Sequence, residues 1–236
     1  MHALRRKVKR SMKPHLPKAT LVPFLFVVFA GPTLPQELIT VEELFSKGLE
    51  LAVKSRDYKK ALPYLEETVK KNPRHAEAWS YVGYCYGQLG EYKKAVEAYK
   101  KVTEIQPASA QALSNLGLAY FKLGLTQEAI RTSKQAIRIK PDLAEAHHNV
   151  GMAYSKLGRY REAVQASKQA VRFKPNYAEA HCILGVSYLL LGNRGSALQE
   201  YQVLKDLDKD LASMLDDLLK KDENDRAKHE KQNLAQ

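Results

Sequence analysis

The feature that most constrains this chain is a sequence period of 34 residues. Glycine, alanine, proline and tyrosine each recur at this interval, each at its own place within the repeat. The series are Gly83, Gly117, Gly151 and Gly185; Ala95, Ala129, Ala163 and Ala197; Pro73, Pro107, Pro141 and Pro175; and Tyr86, Tyr120, Tyr154 and Tyr188. A fixed period of about 20 to 50 residues is typical of repeat architectures, in which each unit packs on its neighbours. The chain is therefore expected to build its core by stacking similar units.

Each repeat has the pattern of two helices separated by a glycine turn. In residues 110–143, apolar residues recur three and four positions apart in two stretches, which is helical spacing. They are Leu113, Leu116 and Tyr120 in the first stretch, and Ala129, Ile130, Ala136 and Ile137 in the second. A glycine inside a helix costs about 1 kcal/mol relative to alanine. Gly117 therefore predicts a close approach to Ala129 of the antiparallel second helix, which Pro141 ends.

Units that begin at Ala76, Ala110, Ala144 and Ala178 resemble the tetratricopeptide repeat. In the unit that begins at Ala76, the residues that carry this pattern are Trp79, Val82, Gly83, Tyr86, Ala95, Tyr99, Val102 and Pro107. The resemblance covers roughly residues 41–208. It implies an all-α fold, a right-handed α-α superhelix of about five helix pairs, in which the first helix of each pair lines the concave face.

The unit boundaries follow from this alignment. Residues 37–208 are predicted to hold five repeats, at about 41–74, 76–109, 110–143, 144–177 and 178–209. In the first repeat Gly48 and Ala61 are 13 residues apart, where the other repeats have 12, so its first helix is predicted to carry an extra residue.

The C-terminal region is predicted to cap the stack. Residues 210–221 have the pattern of an amphipathic capping helix, with charges opposite one apolar stripe. The predicted stripe is Leu211, Met214, Leu215 and Leu218. Residues 222–236 are nearly all polar and are predicted to be a disordered charged tail.

The N-terminal residues 1–36 differ from the rest, because they hold seven basic residues and no acidic one. The net charge of +12 arises mostly there, since the other 200 residues hold 31 basic and 26 acidic residues. The apolar run 19–30 contains Pro23 and is shorter than the roughly 20 residues that a spanning helix needs. This pattern predicts a secretory signal peptide cleaved near Ala30, and hence a periplasmic or secreted protein. An uncleaved membrane anchor and a mitochondrial presequence remain alternatives.

The resemblance also implies which side chains line the groove. The predicted peptide- or partner-binding residues are Tyr81, Tyr84, Ser114, Asn115, Leu118, His148, Asn149 and Met152. Asn115 and Asn149 occupy the same place in consecutive units, where amides could hold an extended peptide backbone. This resembles the asparagine ladder of the O-linked N-acetylglucosamine transferases; bonds to neighbouring side chains or water are the alternative. The apolar members favour a ligand with an apolar anchor.

One known binding mode of such repeats does not fit. Cochaperones grip a C-terminal carboxylate with Lys and Arg at groove positions that are not basic in this chain. Three of those positions hold Glu77, Glu145 and Glu179, which would repel an acidic tail.

Catalytic motifs are missing from the sequence: it has no glycine-rich phosphate loop, serine elbow or clustered acid pair. His147 and His181 lie one repeat apart, too far to share a zinc ion, and are predicted to pack. Cys85 and Cys182 lie three units apart, about 30 Å, whereas a disulfide needs Cα atoms within about 7 Å. The prediction is a non-enzymatic protein with no catalytic residue, metal or cofactor.

Two functions are compatible with these observations. The first is a protein–protein interaction scaffold that binds a peptide segment or partner protein in the concave groove. The second is a membrane-tethered assembly or structural factor whose basic convex face contacts acidic partners. A charge run on outer helix faces is usually only solvated, so no nucleic-acid partner is expected.

Overall fold

A computed structural model of the chain describes residues 39–234. In this range the chain forms eleven α-helices and one π-helical turn, Glu50–Lys54, without a β-strand. The helices are α1 Val41–Leu49, α2 Tyr58–Lys71, α3 Ala76–Gln88, α4 Tyr92–Ile105, α5 Ala110–Leu123, α6 Thr126–Ile139, α7 Ala144–Lys156, α8 Tyr160–Phe173, α9 Ala178–Leu190, α10 Arg194–Leu207 and α11 Lys209–Leu234.

The helices form five consecutive antiparallel pairs, from α1 with α2 to α9 with α10. Each pair packs on the next, and two pairs of first helices also contact one another, α5 with α7 and α7 with α9. This arrangement confirms the predicted all-α repeat solenoid. The buried apolar residues of the described range form four clusters, each of which joins neighbouring units or the last unit and α11, because no single unit can bury its apolar face alone.

The glycine inside the first helix of each pair permits the close approach that the period predicts. A Cβ on Gly83 would lie 2.9 Å from the ring of Tyr99, closer than real Cβ atoms come. On Gly117 it would lie 3.4 Å from the carbonyl of Ala129, and closer still to the hydroxyl of Ser133. A larger residue at either glycine would therefore push the two helices of the pair apart.

The extra residue predicted for the first repeat is absorbed by the π-helical turn Glu50–Lys54. A π turn makes its bonds one residue further along the chain, which accommodates an insertion without breaking the helix. The following turn holds Arg56 at φ 51°, the only positive φ of a non-glycine residue among residues 39–234. In the other four repeats this place holds a glycine, for example Gly124 at φ 90°.

The capping helix is longer than the sequence predicts, and it packs through a different stripe. Of the predicted stripe, Leu215 is fully buried and Leu211 half-buried, whereas Met214 and Leu218 are exposed. The inward face instead consists of Ala212, Leu215 and Leu219. The reason is that α11 packs on both α9 and α10, and Ala212, Leu215 and Leu219 are the residues that share a buried cluster with both helices.

Residues 222–234 are helical rather than disordered. Arg194 of α10 donates to the carbonyl of Leu219 at 2.6 Å and to Glu223 at 2.7 Å. Salt bridges between residues four apart, such as Asp222 with Arg226, support the exposed turns. Because Arg194 lies outside residues 222–234, the sequence of that segment alone does not predict this contact.

None of the helices described for this chain is long and apolar enough to cross a membrane. The predicted leader, residues 1–36, with its apolar run and the cleavage point near Ala30, lies outside the described residues.

Candidate peptide-binding groove

Ring N–H groups hold the start of three first helices in place. Trp79, His147 and His181 occupy the same position in their repeats. Trp79 donates to the carbonyl of Pro73 at 3.0 Å, and the Nε2 atoms of His147 and His181 lie 2.8 and 2.9 Å from the carbonyls of Pro141 and Pro175. Both histidine rings therefore help to hold the repeats together, which agrees with the packing role that the sequence predicts.

His181 has acceptors at both ring nitrogens. Its Nδ1 lies 2.6 Å from the carboxylate of Glu200, and Nε2 faces the carbonyl of Pro175. The hydrogen bond to Glu200 raises the pKa of His181 above its usual value. The doubly protonated ring fits this place best, since it can donate on both sides.

A second periodic contact occurs at three of the four junctions between repeats. Lysines of α4, α6 and α8 lie over tyrosine rings of the following first helices. The pairs are Lys100 with Tyr120, Lys134 with Tyr154 and Lys168 with Tyr188, at 5.9, 5.2 and 5.5 Å from the ring centroids. Lys134 also donates to the Tyr154 hydroxyl at 2.7 Å. These lysines belong to the basic second helices, so part of that charge serves repeat packing.

Two adjoining hollows lie along the first helices. The larger, about 760 Å³, is lined by α3, α4 and α5. The smaller, about 390 Å³, is lined by α5, α7, α9 and α11. They share Asn115, Leu118 and Lys122, and together they form the surface that we call the groove. All eight predicted binding residues line it: Tyr81, Tyr84, Asn115 and Leu118 the larger hollow, and Ser114, Asn115, Leu118, His148, Asn149 and Met152 the smaller.

The eight residues differ in how far they reach the surface. Tyr84 and Leu118 are each 37% exposed, and Tyr81, Asn115 and Met152 are half-buried. The remaining three, Ser114, His148 and Asn149, are buried and form the wall behind the surface.

The amide of Asn149 is engaged inside that wall. Its NH₂ group donates to the backbone carbonyl of Ser114 at 2.9 Å and to the Ser114 hydroxyl at 3.2 Å. This bond ties α7 to α5, so the amide donors of Asn149 are not available to a ligand. Of the two predicted ladder rungs, Asn115 alone lines both hollows; its Oδ1 accepts from Gln111 at 3.2 Å.

Two aromatic residues of the larger hollow, Tyr81 and Tyr84, pack against side chains of the first repeat. Tyr84 meets Tyr58 edge to face, with ring centroids 5.7 Å apart, and Tyr81 lies 6.1 Å from Phe45. A hydrogen bond to Tyr58, followed by burial, raises the pKa of Tyr84. These contacts hold both rings in place before any ligand arrives.

The buried ring of His148 is neutral at neutral pH. Burial, reinforced by Lys122 and Lys174, lowers its pKa to about 4. The ring lies against Tyr177 with centroids 4.8 Å apart, and Nδ1 has no hydrogen-bond partner in the described part of the chain.

The capping helix adds two groove residues that the sequence assigns elsewhere. Leu211 and Met214 of α11 line the smaller hollow beside Met152 and Ile183. Both belong to the stripe that the sequence predicts to face inward. The sequence did contain a signal for this second role. The apolar face of α11 is wider than packing on a single neighbouring surface requires.

The two cysteines are unreactive, although Cys182 lines the smaller hollow. Cys85 and Cys182 are buried free thiols. Burial raises the pKa of each to about 11, so neither forms a reactive thiolate at neutral pH.

Three family models match the sequence. A model described as TPR repeat matches residues 83–124, and two described as tetratricopeptide repeat match residues 108–176 and 151–212. The chain belongs to the tetratricopeptide-repeat family. Proteins of this family are typically non-enzymatic scaffolds that bind protein or peptide partners. No curated protein sequence matches the chain.

Solved structures share this fold. TTC0263, a thermophilic tetratricopeptide-repeat protein of Thermus thermophilus, is 26% identical with a TM-score of 0.64, over 76% of this chain and 99% of that one. MamA is 25% identical with a TM-score of 0.59, over 70% and 96% of the two chains. YrrB, a repeat protein with an unusual peptide-binding site, is 21% identical with a TM-score of 0.56, over 75% and 92%; at this identity the likeness concerns the fold alone.

Proposed function

We propose that this protein is a non-enzymatic scaffold that binds a peptide segment or partner protein in the groove. The observation that carries the proposal is that all eight binding residues predicted from the repeat line two adjoining hollows. Their volumes, about 760 and 390 Å³, fall within the range of roughly 300–1,000 Å³ that is usual for ligand sites.

The groove offers two kinds of contact to a chain segment. Tyr81, Tyr84, Leu118 and Met152 offer apolar area on side chains that are partly exposed. Asn115, at the point where the hollows meet, can donate an amide N–H to a backbone carbonyl of the ligand. Apolar anchors supply most of the binding free energy in such sites, and a few polar groups set the register.

The alternative function, a tethered factor that works through its basic convex face, has less support. Lys100, Lys134 and Lys168 contact tyrosines of the next repeat. Packing between repeats therefore accounts for the presence of these three lysines. It does not account for the partly exposed apolar side chains of the groove.

We also propose that the scaffold is exported after cleavage near Ala30. The support is the basic leader followed by a short apolar run in residues 1–36. N-terminal sequencing of the protein purified from its native cells tests this: a start near Gly31 agrees with export, and an intact leader contradicts cleavage.

A matched pair of substitutions tests the groove. Leu118→Arg places a charge at the junction of the hollows, and Ile139→Arg places the same charge on an exposed apolar residue at the end of α6. Both full-length variants, and the wild type, are used to capture partners from cells, and the captured partner is then titrated by calorimetry.

The expected result is that Leu118→Arg abolishes partner binding and Ile139→Arg preserves it. The double variant Tyr81→Ala with Asn115→Ala should weaken binding while helix content by circular dichroism stays the same. Equal binding by wild type, Leu118→Arg and the double variant would show that the partner binds elsewhere.

A further inference from the structure

The charge in the groove is opposite to the charge of the chain. The whole chain has 38 basic and 26 acidic residues. The charged residues that line the two hollows are Glu77, Lys122, Glu145 and Glu179, three carboxylates and one ammonium group. Glu145 lies 3.6 Å from Lys174, which offsets its charge. Glu77 and Glu179 are exposed, and no salt bridge joins either to another residue within 39–234.

Two carboxylates lie at the end of the groove that α9 and α11 form. Glu179 lies in the first turn of α9. Asp208 caps α11, its carboxylate accepting from the backbone N–H groups of Asp210 and Leu211. After burial, the main cause, these two carboxylates also raise the pKa of the Cys182 thiol. Cys182 itself lines the smaller hollow.

The same end of the groove is also its most apolar part. Met152, Ile183, Leu211 and Met214 line the smaller hollow together with Leu118. Met214 is 46% exposed, although α11 buries Leu215 and Leu219 beside it. A flexible thioether that is open to solvent adapts to many apolar partners.

The wall of this hollow contains an unsatisfied polar atom. His148 is 6% exposed and lines the hollow, and its Nδ1 has no hydrogen-bond partner among the described residues. The ring is neutral at neutral pH, so the positive charges near it are those of Lys122, which lines the hollow, and of Lys174, which pairs with Glu145.

We propose that the smaller hollow takes an apolar side chain of a protein segment that carries a lysine or arginine beside it, with the cation placed against Glu179. This inference rests on the proposed function and adds the chemistry of the partner. Leu118, Met152 and Met214 contact the apolar side chain, and α11 is thereby part of the binding site as well as the cap. A segment with acidic residues beside its anchor is disfavoured.

Three synthetic peptides test the proposal. Each has twelve residues with one central leucine and a photo-crosslinking leucine analogue next to it, and they differ only in two flanking residues: lysine, serine or glutamate. Fluorescence anisotropy with the full-length chain at low salt measures their affinities. We expect the lysine peptide to bind most tightly and the glutamate peptide most weakly, with crosslinks on α7, α9 or α11.

Variants identify the groups responsible. Glu179→Gln should weaken the lysine peptide about two- to fivefold, the range of an exposed ion pair, and leave the serine peptide unchanged. Glu97→Gln removes a carboxylate of α4 that is also exposed but lies outside the groove, and should change nothing. Met214→Ser should weaken all three peptides about tenfold. Circular dichroism melts establish that each variant is folded.

The outcomes separate the two proposals. If the three peptides bind equally and Met214→Ser weakens them all, the preference for a basic segment is wrong and the groove function stands. If Glu97→Gln weakens the lysine peptide as much as Glu179→Gln does, the placement of the cation is also wrong. Absence of binding, or binding that neither Met214→Ser nor Leu118→Arg reduces, contradicts the groove function itself.

Discussion

At the scale of the residue, polar side chains at equivalent places in successive repeats have different roles. Asn115 and Asn149 share one position, but the first lines both hollows and the second bonds Ser114 within the wall. Periodicity predicts the position and not the role, because the bonding partner of Asn149 lies 35 residues away on another helix. Gly117 is the opposite case: its backbone neighbours are fixed by the repeat, so the sequence predicts its role.

His148 is expected to make the protein less stable in mild acid. The unfolded ring has a pKa of about 6.5 and the folded ring about 4, so between these values the unfolded state binds more protons. The free energy of unfolding therefore falls as the pH decreases from about 6.5 to 4, by an amount on the order of 3 kcal/mol for this residue. Urea unfolding at several pH values measures the slope.

The variant His148→Phe keeps a ring against Tyr177 and removes the titration. It should show a shallower loss of stability over the same pH range. His181 titrates in both proteins and cancels from the comparison. Parallel curves for the variant and the wild type would mean that the buried ring is charged in the folded state.

Replacing Arg56 by glycine is expected to stabilise the protein. It has φ 51° in the turn where the other repeats have glycine, and this conformation costs a non-glycine residue about 1 kcal/mol. Arg56→Gly should therefore raise the free energy of unfolding by about 0.5–1 kcal/mol, and Gly124→Arg should lower it by a similar amount or more. Denaturant titration measures the free energy of unfolding of each variant. A loss of stability in Arg56→Gly would mean that the arginine makes a compensating contact.

At the scale of the element, the ten paired helices follow from the period, and the capping helix does not. Most of the paired helices are bounded by a signal that recurs, a turn glycine or a proline; Arg56 and Lys209 replace it in the first and last repeats. Helix α11 has an apolar face wide enough for two rotations, and its contact with α9 and α10 selects the one that buries Ala212 and Leu219. Its length also depends on Arg194, which bonds Leu219 and Glu223 from α10.

Two neighbouring residues of α11 distinguish the predicted stripe from the observed one. Leu215 is fully buried and its side chain packs at Gly185, whereas Met214 is 46% exposed. Leu215→Ala should lower the free energy of unfolding by about 2–5 kcal/mol, and Met214→Ala by less than about 0.5 kcal/mol. Thermal and urea unfolding compare the two, and equal losses would support the stripe expected from sequence alone.

At the scale of the whole molecule, the repeat determines which residues line the groove. Stacking brings one face of each first helix to a common surface, so residues that are 34 positions apart become neighbours. For this reason all eight groove residues could be named from the sequence. Leu211 and Met214 could not, because they come from a helix outside the repeat. The reversal of charge in the groove likewise becomes visible only when its lining is known.

Site-specific photo-crosslinking in the native cells tests the groove most directly. Leu118→p-benzoylphenylalanine places the reactive group at the junction of the hollows, and Ile139→p-benzoylphenylalanine places it on an exposed residue of α6. The groove account predicts a discrete protein adduct from position 118, with the crosslinked segment identified by mass spectrometry, and none from position 139. An adduct from position 139 with none from position 118 would contradict it.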